Sequence, residues 1–301
     1  MSPSSSPVAR KTLAAPMALH PTPHLVIDDA FDEASMSNMV RHWPEEDSFT
    51  TYSDGHNRRL GDPGRFGFYI LGHTARKRAQ ALDNVRRAFW KGFAGGPVKD
   101  MITSLYRRFY PGLKARFGDA LPQLKLETFA VLVNSYQHLD VGVHTDQPAF
   151  LFSSIIYVDD RPGEDAGTSL YEPLDRDYRH PGLAFLDREK FRKMKTVPFR
   201  SGTVLSLLCT GDSFHGVEKT PISLNNLRRT INIHVRLAPE CIVDLFARED
   251  LKGFDYPVTV DASVLETLNN WCRVRNFTSQ SVDEAELAPV VKSFLYGEEQ
   301  L

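Results

Sequence analysis

The stretch His24-Leu25-Val26-Ile27-Asp28-Asp29-Ala30-Phe31 sets a short apolar run before polar residues, which predicts a first strand. Asp32 or Ser35 then offers an N-cap for a helix running to about Trp43, where Pro44 stops it. From Thr74 to Phe117 the apolar positions Ala81, Leu82, Val85, Phe89 and Ile102, Leu105, Tyr106, Phe109 recur every three or four residues. That spacing predicts helices laying one face on a core, divided in two at Gly95-Gly96-Pro97. From Leu126 to Leu237 the pattern becomes that of strands. The apolar run Phe129–Val133, bounded by Asn134, reads as a buried strand, and Val197–Leu208 reads as strand, turn at Gly202, strand. In Arg228–Val235 the residues alternate: Arg229, Ile231, Ile233 and Val235 share one face, and Arg228, Thr230, Asn232 and His234 the other. A strand with one apolar and one polar face packs on a layer and lines a polar space.

Other segments fall outside these patterns. Residues 1–23, rich in Ser, Pro and Ala, read as a mobile tail. The stretch Thr51–Gly72 carries Gly55, Gly61, Gly64 and Gly67 and reads as a long loop suited to cover a site. The charged run Asp187–Met194 reads as a short helix or an insertion. Beyond Pro239 helices are expected near Ala262–Asn270 and Val282–Tyr296. The resulting division is a tail at 1–23, one domain at 24–240 with helical support at 74–118, and a helical extension at 241–301 packed on the core.

Composition narrows the class. With 301 residues and 42% hydrophobic content, the chain can bury one full core with decorations. Its net charge of -2 gives no surface for a polyanion. The basic runs Arg76-Lys77-Arg78, Arg86-Arg87 and Arg107-Arg108 fit solvated helix faces, so no nucleic-acid partner is expected. Three cysteines, Cys209, Cys241 and Cys272, form no CxxC pair, which argues against a disulfide framework and fits a reducing cytoplasm. No apolar run reaches the length of a membrane span, and Met1–Pro7 lacks the apolar core of a signal peptide. A cytoplasmic protein without a membrane partner is the expectation; its oligomeric state stays open.

The candidate chemistry lies in His144-Thr145-Asp146, His215 and Arg228. Two histidines and a carboxylate are the ligand set that holds non-haem Fe(II) on one face and leaves positions open. On an extended chain, residues i and i+2 point the same way, so His144 and Asp146 can converge on one ion. His215 follows the turn Thr210-Gly211-Asp212-Ser213, at the edge of a sheet. Arg228, thirteen positions on (215 to 228), opens the alternating strand on its polar face. Its planar fork suits a carboxylate, and Thr230 adds a hydroxyl on the same face.

These residues resemble the 2-oxoglutarate/Fe(II) dioxygenase superfamily, in the branch similar to prolyl 4-hydroxylases. The resemblance runs from about Leu126 to Leu237 and rests on ordered pieces. They are Asn134-Ser135-Tyr136, His144-Thr145-Asp146, Ser153–Asp159, Ala166-Gly167-Thr168-Ser169-Leu170, Pro198–Thr203, Phe214–Glu218 and Arg228-x-Thr230. The resemblance implies a mainly β, α+β fold with a double-stranded β-helix (jelly-roll) core and flanking helices. It implies that His144, Asp146 and His215 are the metal ligands and the catalytic centre. Arg228, Thr230 and Tyr157 would bind the C5 carboxylate of 2-oxoglutarate, with Tyr136 near the co-substrate or the substrate. The loop Thr220–Asn226 is longer than is common there; alternation along the strand still favours Arg228 over Arg229. The implied cofactors are Fe(II), 2-oxoglutarate and O₂, with ascorbate as a supporting reductant. The implied reaction oxidises an unactivated C–H bond and releases succinate and CO₂. A carboxylate at 146 argues against the related halogenases, which carry a small residue there.

The substrate stays open between a small metabolite, such as an amino acid or natural-product intermediate, and a protein prolyl target. The absence of an evident peptide-binding module favours the former. A cupin-like metal-dependent isomerase or binding protein is the rival from another class. Arg228-x-Thr230 speaks against it, because such a protein needs no buried cation at that point.

Overall fold

The computed structural model describes residues 6–51, 65–72, 75, 80–136, 139–146, 149–159, 161–180, 185–220, 227–238, 277 and 282–298. Helix α1 (Pro7–Ala14) opens on Ser6, whose hydroxyl accepts from the Ala9 amide, with Pro7 in the first helical turn. Val8, Ala9 and Thr12 are buried, and the Arg108 guanidinium donates to the Ala15 carbonyl at 2.7 Å. The tail expected over 1–23 is therefore an ordered element from residue 6 onward. The composition misled because Ser followed by Pro is also how a helix starts. Strands β1 (Met17–Ala18) and β2 (His24–Ile27) pair antiparallel. Helix α2 (Glu33–Arg41) is capped by Asp32, which accepts from the Ser35 amide at 2.8 Å and so decides between the two candidate caps.

Strand β3 (Thr50–Thr51) pairs with β4 (Arg65–Leu71), so the last third of the expected loop is a strand. Gly67 sits inside it, opposite Val133. Residues 52–64, with Gly55, Gly61 and Gly64, lie outside the described residues, and so does the lid reading placed on them. Helices α3 (Asn84–Phe93) and α4 (Lys99–Phe117) are joined through a wide π turn at Ala94–Val98, where a break was expected. Pro97 has no N–H to give to the turn before it, and a widened turn accommodates that loss without ending the helix.

The remaining strands are β5 (Leu126–Ser135), β6 (Leu139–His144), β7 (Phe150–Tyr157), β8 (Thr168–Pro173), β9 (Phe191–Val197), β10 (Val204–Leu208), β11 (His215–Thr220) and β12 (Arg228–Leu237). They form one long antiparallel hairpin folded across itself. β8 pairs β9 at its turn, then β7 pairs β10, β6 pairs β11 and β5 pairs β12. β5, β7, β10 and β12 lie in the larger sheet; β6, β8, β9 and β11 make the smaller one. This nesting is a jelly roll, or double-stranded β-helix. The expected helix or insertion at Asp187–Met194 is a single 3₁₀ turn, Arg188–Lys190, followed by β9. β9 is an edge strand whose middle four residues are all exposed, so it shows no period-two alternation to read in the sequence.

The larger sheet is extended by β1 and β2 beyond β10 and by β4 and β3 beyond β5. Its outer face carries Ile231, Ile233 and Val235, packed into one core with Met101, Ile102, Leu105 and Phe109 of α4. Helix α5 (Glu284–Glu298) closes that layer, with Ser293 hydrogen-bonded to Thr128 of β5 at 2.7 Å. The expected helix near 262–270 lies outside the described residues. Among the described residues no helix is long and apolar enough to cross a membrane. Helices on the outer face leave the inner face of the sheet, opposite the smaller sheet, to line a cavity.

Candidate metal centre and anion pocket

β6 ends at His144 and β11 begins at His215, and the two are register partners. Their rings lie 4.3 Å apart. Asp146 follows just after β6, and one ligand atom from each of the three lies within 4.8 Å of the others. Gly216 makes this approach possible, since a Cβ there would stand 2.6 Å from the Val141 carbonyl oxygen. Gly142 likewise admits Phe185, whose ring packs edge-on to His144 with centroids 5.3 Å apart.

Hydrogen bonds set the state of each ring. His144 Nδ1 lies 2.8 Å from the Gly142 carbonyl and His215 Nδ1 lies 2.9 Å from the Ser213 carbonyl. A carbonyl can only accept, so both Nδ1 atoms carry a proton, which leaves Nε2 as the ring nitrogen each histidine would offer a cation. Burial works to raise the Asp146 carboxyl. The imidazoles of His215, His234 and His144 and the Ser153 hydroxyl outweigh it and hold the group well below the usual carboxylate range. Asp146 is thus held as an anion beside two imidazole nitrogens, a donor set that suits an iron(II) ion.

Asp146 Oδ2 accepts from Ser153 Oγ at 2.6 Å and from Cys209 Sγ at 3.3 Å. Ser153 Oγ lies 2.8 Å from His234 Nδ1. Cys209 is a buried free thiol, pushed well above its ordinary pKa by burial and by the neighbouring Asp146 charge.

The same cavity extends from His144, Asp146 and His215 past Ser153, Ile155, Asn232 and His234 to Thr168, Arg65 and Arg228. Arg228 is 3% exposed. Its Nε donates to the Ala166 carbonyl at 2.7 Å, and its guanidinium carbon lies 5.1 Å from the Phe199 ring centre and 5.8 Å from that of Tyr157. Burial pushes its pKa down to about 10. Among the described residues no carboxylate pairs with it. Three buried oxygens nearby on the inner strand faces, Thr230 Oγ1, Thr168 Oγ1 and Asn232 Oδ1, have no hydrogen-bond partner among the described residues. A buried cation beside orphaned hydroxyls is costly unless a ligand satisfies them.

Arg229 lies on the opposite face. It stands 3.6 Å from Asp159 and over the Trp43 ring at 5.8 Å. Tyr157 is fully buried next to Arg228, stacked on Phe199 at 4.6 Å, and its hydroxyl oxygen accepts from the Thr168 amide at 3.0 Å. The structure thus groups Arg228, Thr230 and Tyr157, as Thr230 and Tyr157 are register partners. Tyr136 is placed elsewhere: its ring packs edge-on to Phe66 at 5.5 Å, and the Asn134 amide reaches its hydroxyl. Asn134 pairs in register with Arg229, which puts this cluster on the Arg229 side of the sheet. Sequence reasoning passed over Ser153, Cys209 and Arg65. Ser153 was legible only as a polar residue in an apolar strand, and the other two carried no signal of their own.

No family model matches the chain, and no curated protein matches it. Solved structures do match. HygX from Streptomyces hygroscopicus, with nickel and 2-oxoglutarate bound, has 12% identity and a TM-score of 0.42 over 71% of this chain and 82% of its own. A prolyl hydroxylase from Trichoplax adhaerens, in complex with a peptide fragment, has 12% identity and a TM-score of 0.44 over 80% and 93%. A Pseudomonas putida prolyl-4-hydroxylase has 10% identity and a TM-score of 0.41 over 76% and 98%. Likeness at that level carries no argument by itself; strand order and site geometry do.

Proposed function

We propose that the protein is an Fe(II)- and 2-oxoglutarate-dependent oxygenase that oxidises a C–H bond of a small molecule. The observation that carries this reading is one cavity with His144, Asp146 and His215 at one end and, at the other, the buried Arg228, with which no carboxylate among the described residues pairs. A metal alone would account for the triad. A metal together with a carboxylate-bearing co-substrate accounts for both ends. When bound, iron and 2-oxoglutarate would let O₂ act as the oxidant, with two of its four electrons coming from loss of the co-substrate's 1-carboxylate as CO₂ and two from the C–H bond.

The chain's own residues bind and orient. His144 and His215 offer Nε2, and Asp146 offers the oxygen not engaged by Ser153. Arg228 receives the far carboxylate, with Thr230 and the Tyr157 hydroxyl beside it, replacing water that burial removes. The mostly buried lining fits a compact ligand.

Anaerobic addition of Fe(II) and then 2-oxoglutarate tests this reading. A weak visible metal-to-ligand charge-transfer band is expected, and it should be lost in Arg228→Ala. Iron binding without a band would turn the assignment toward the cupin-like alternative. No iron binding would remove the metal centre altogether.

A further inference from the structure

We infer that Ser153 and His234 are positioning residues that hold Asp146 as a one-oxygen metal ligand, an inference that rests on the metal site proposed above. Asp146 lies past the end of β6, so no strand ladder fixes its side chain. Its carboxylate has two oxygens, and free rotation would let both reach a metal. The structure engages Oδ2 instead, with Ser153 Oγ at 2.6 Å and Cys209 Sγ at 3.3 Å.

The proton directions follow from valence. A hydroxyl has one proton, and a carboxylate oxygen can only accept, so Ser153 donates to Asp146. Ser153 must then accept from His234 Nδ1, which lies 2.8 Å away and therefore carries the proton. The chain of donors runs from His234 to Ser153 to Asp146. Both donors stand on rigid ground. Ser153 and His234 are register partners on β7 and β12, central strands of the larger sheet. The His234 ring stacks on Phe129 at 4.9 Å and on Phe150 at 5.2 Å. A ligand on a loop thus takes its orientation from the sheet. With Oδ2 occupied, only Oδ1 remains for the metal. The position a second oxygen would fill stays open for a bidentate co-substrate.

Co(II) is the probe, added anaerobically to the full chain, with affinity and visible absorption both read. Ser153→Ala should weaken Co(II) binding about tenfold or more. It should also lower the visible absorption intensity, as the freed carboxylate raises the coordination number. His234→Ala should move both readouts the same way, and His234→Asn, which keeps a donor near the Nδ1 position, should restore them. Wild-type affinity and spectrum in a folded Ser153→Ala protein would overturn the inference and leave the triad standing. Weakening in His234→Ala that His234→Asn does not relieve would reduce His234 to packing and overturn its part. If the wild-type protein takes up no Co(II), the metal site itself is wrong, and this inference falls with it.

Discussion

Arg228 and Arg229 are chemically identical neighbours that the strand sends to opposite faces, and their environments then differ in every respect that matters for binding. Arg228 faces the cavity, with no carboxylate among the described residues; Arg229 stands beside Asp159. Arg228→Ala should weaken 2-oxoglutarate binding to the metal-loaded protein by about 2–4 kcal/mol, roughly 30- to 700-fold. Arg229→Ala should leave it nearly unchanged. Anaerobic titration of both variants checks the pair, and an inverted result would mean that β12 is out of register by one. His24 makes a second prediction at this scale. It is 1% exposed, and its Nδ1 bonds the Thr22 carbonyl while its Nε2 has no partner among the described residues. Burial lowers its pKa from 6.5 despite the opposing Thr22 bond. The unfolded chain therefore takes up a proton more readily than the folded one. The His24 contribution is complete above about pH 6.5 and is lost as pH falls from there toward the lowered folded value. His24→Asn should flatten the acid side of a urea-stability profile; an unchanged slope would count against this assignment.

Elements place the site through close backbone approach more than through side-chain choice. β11 reaches β6 only because Gly216 lacks a Cβ, and it is next to His215 in the chain. Gly216→Ala should cost about 1–3 kcal/mol of stability. It should also loosen Co(II) binding, because the shift falls on the β6–β11 pair that sets the two histidines. Retained affinity in a destabilised protein would separate the two effects. Helix α1 is the element that composition misjudged. Deleting residues 1–15 should cost about 2–4 kcal/mol, since it exposes the surface now covering Val8 and strips the Arg108 guanidinium of its bond to Ala15. Urea unfolding of the truncated chain measures that cost, and an unchanged midpoint would restore the mobile-tail reading.

At the scale of the whole molecule, the jelly roll brings its two sheets together through the triad. His144 and His215 belong to the smaller sheet, while Asp146 is fastened by Ser153 to the larger one. A metal bound there should act as a clasp between the sheets. With Co(II) at a hundred times its Kd, the stability gain should be about 2.7 kcal/mol. The gain should vanish in His144→Ala. Calorimetric unfolding with and without Co(II) reads this directly; an equal shift in both proteins would place the metal elsewhere.

The sequence by itself determined the strand region, the ordered His144, Asp146, His215 and Arg228 set, and the two faces of β12, because period-two alternation and ligand chemistry are local properties. It also made the long helices over 84–117 legible through their three- and four-residue spacing. Only the tertiary structure decided that α1 is ordered, that 65–71 is a strand, and that Tyr136 sits with Phe66 away from the cavity. It alone supplied the chain from His234 through Ser153 to Asp146. That chain joins positions 81 residues apart, from His234 to Ser153, and a cross-strand register between such distant positions leaves no mark on the local pattern of either.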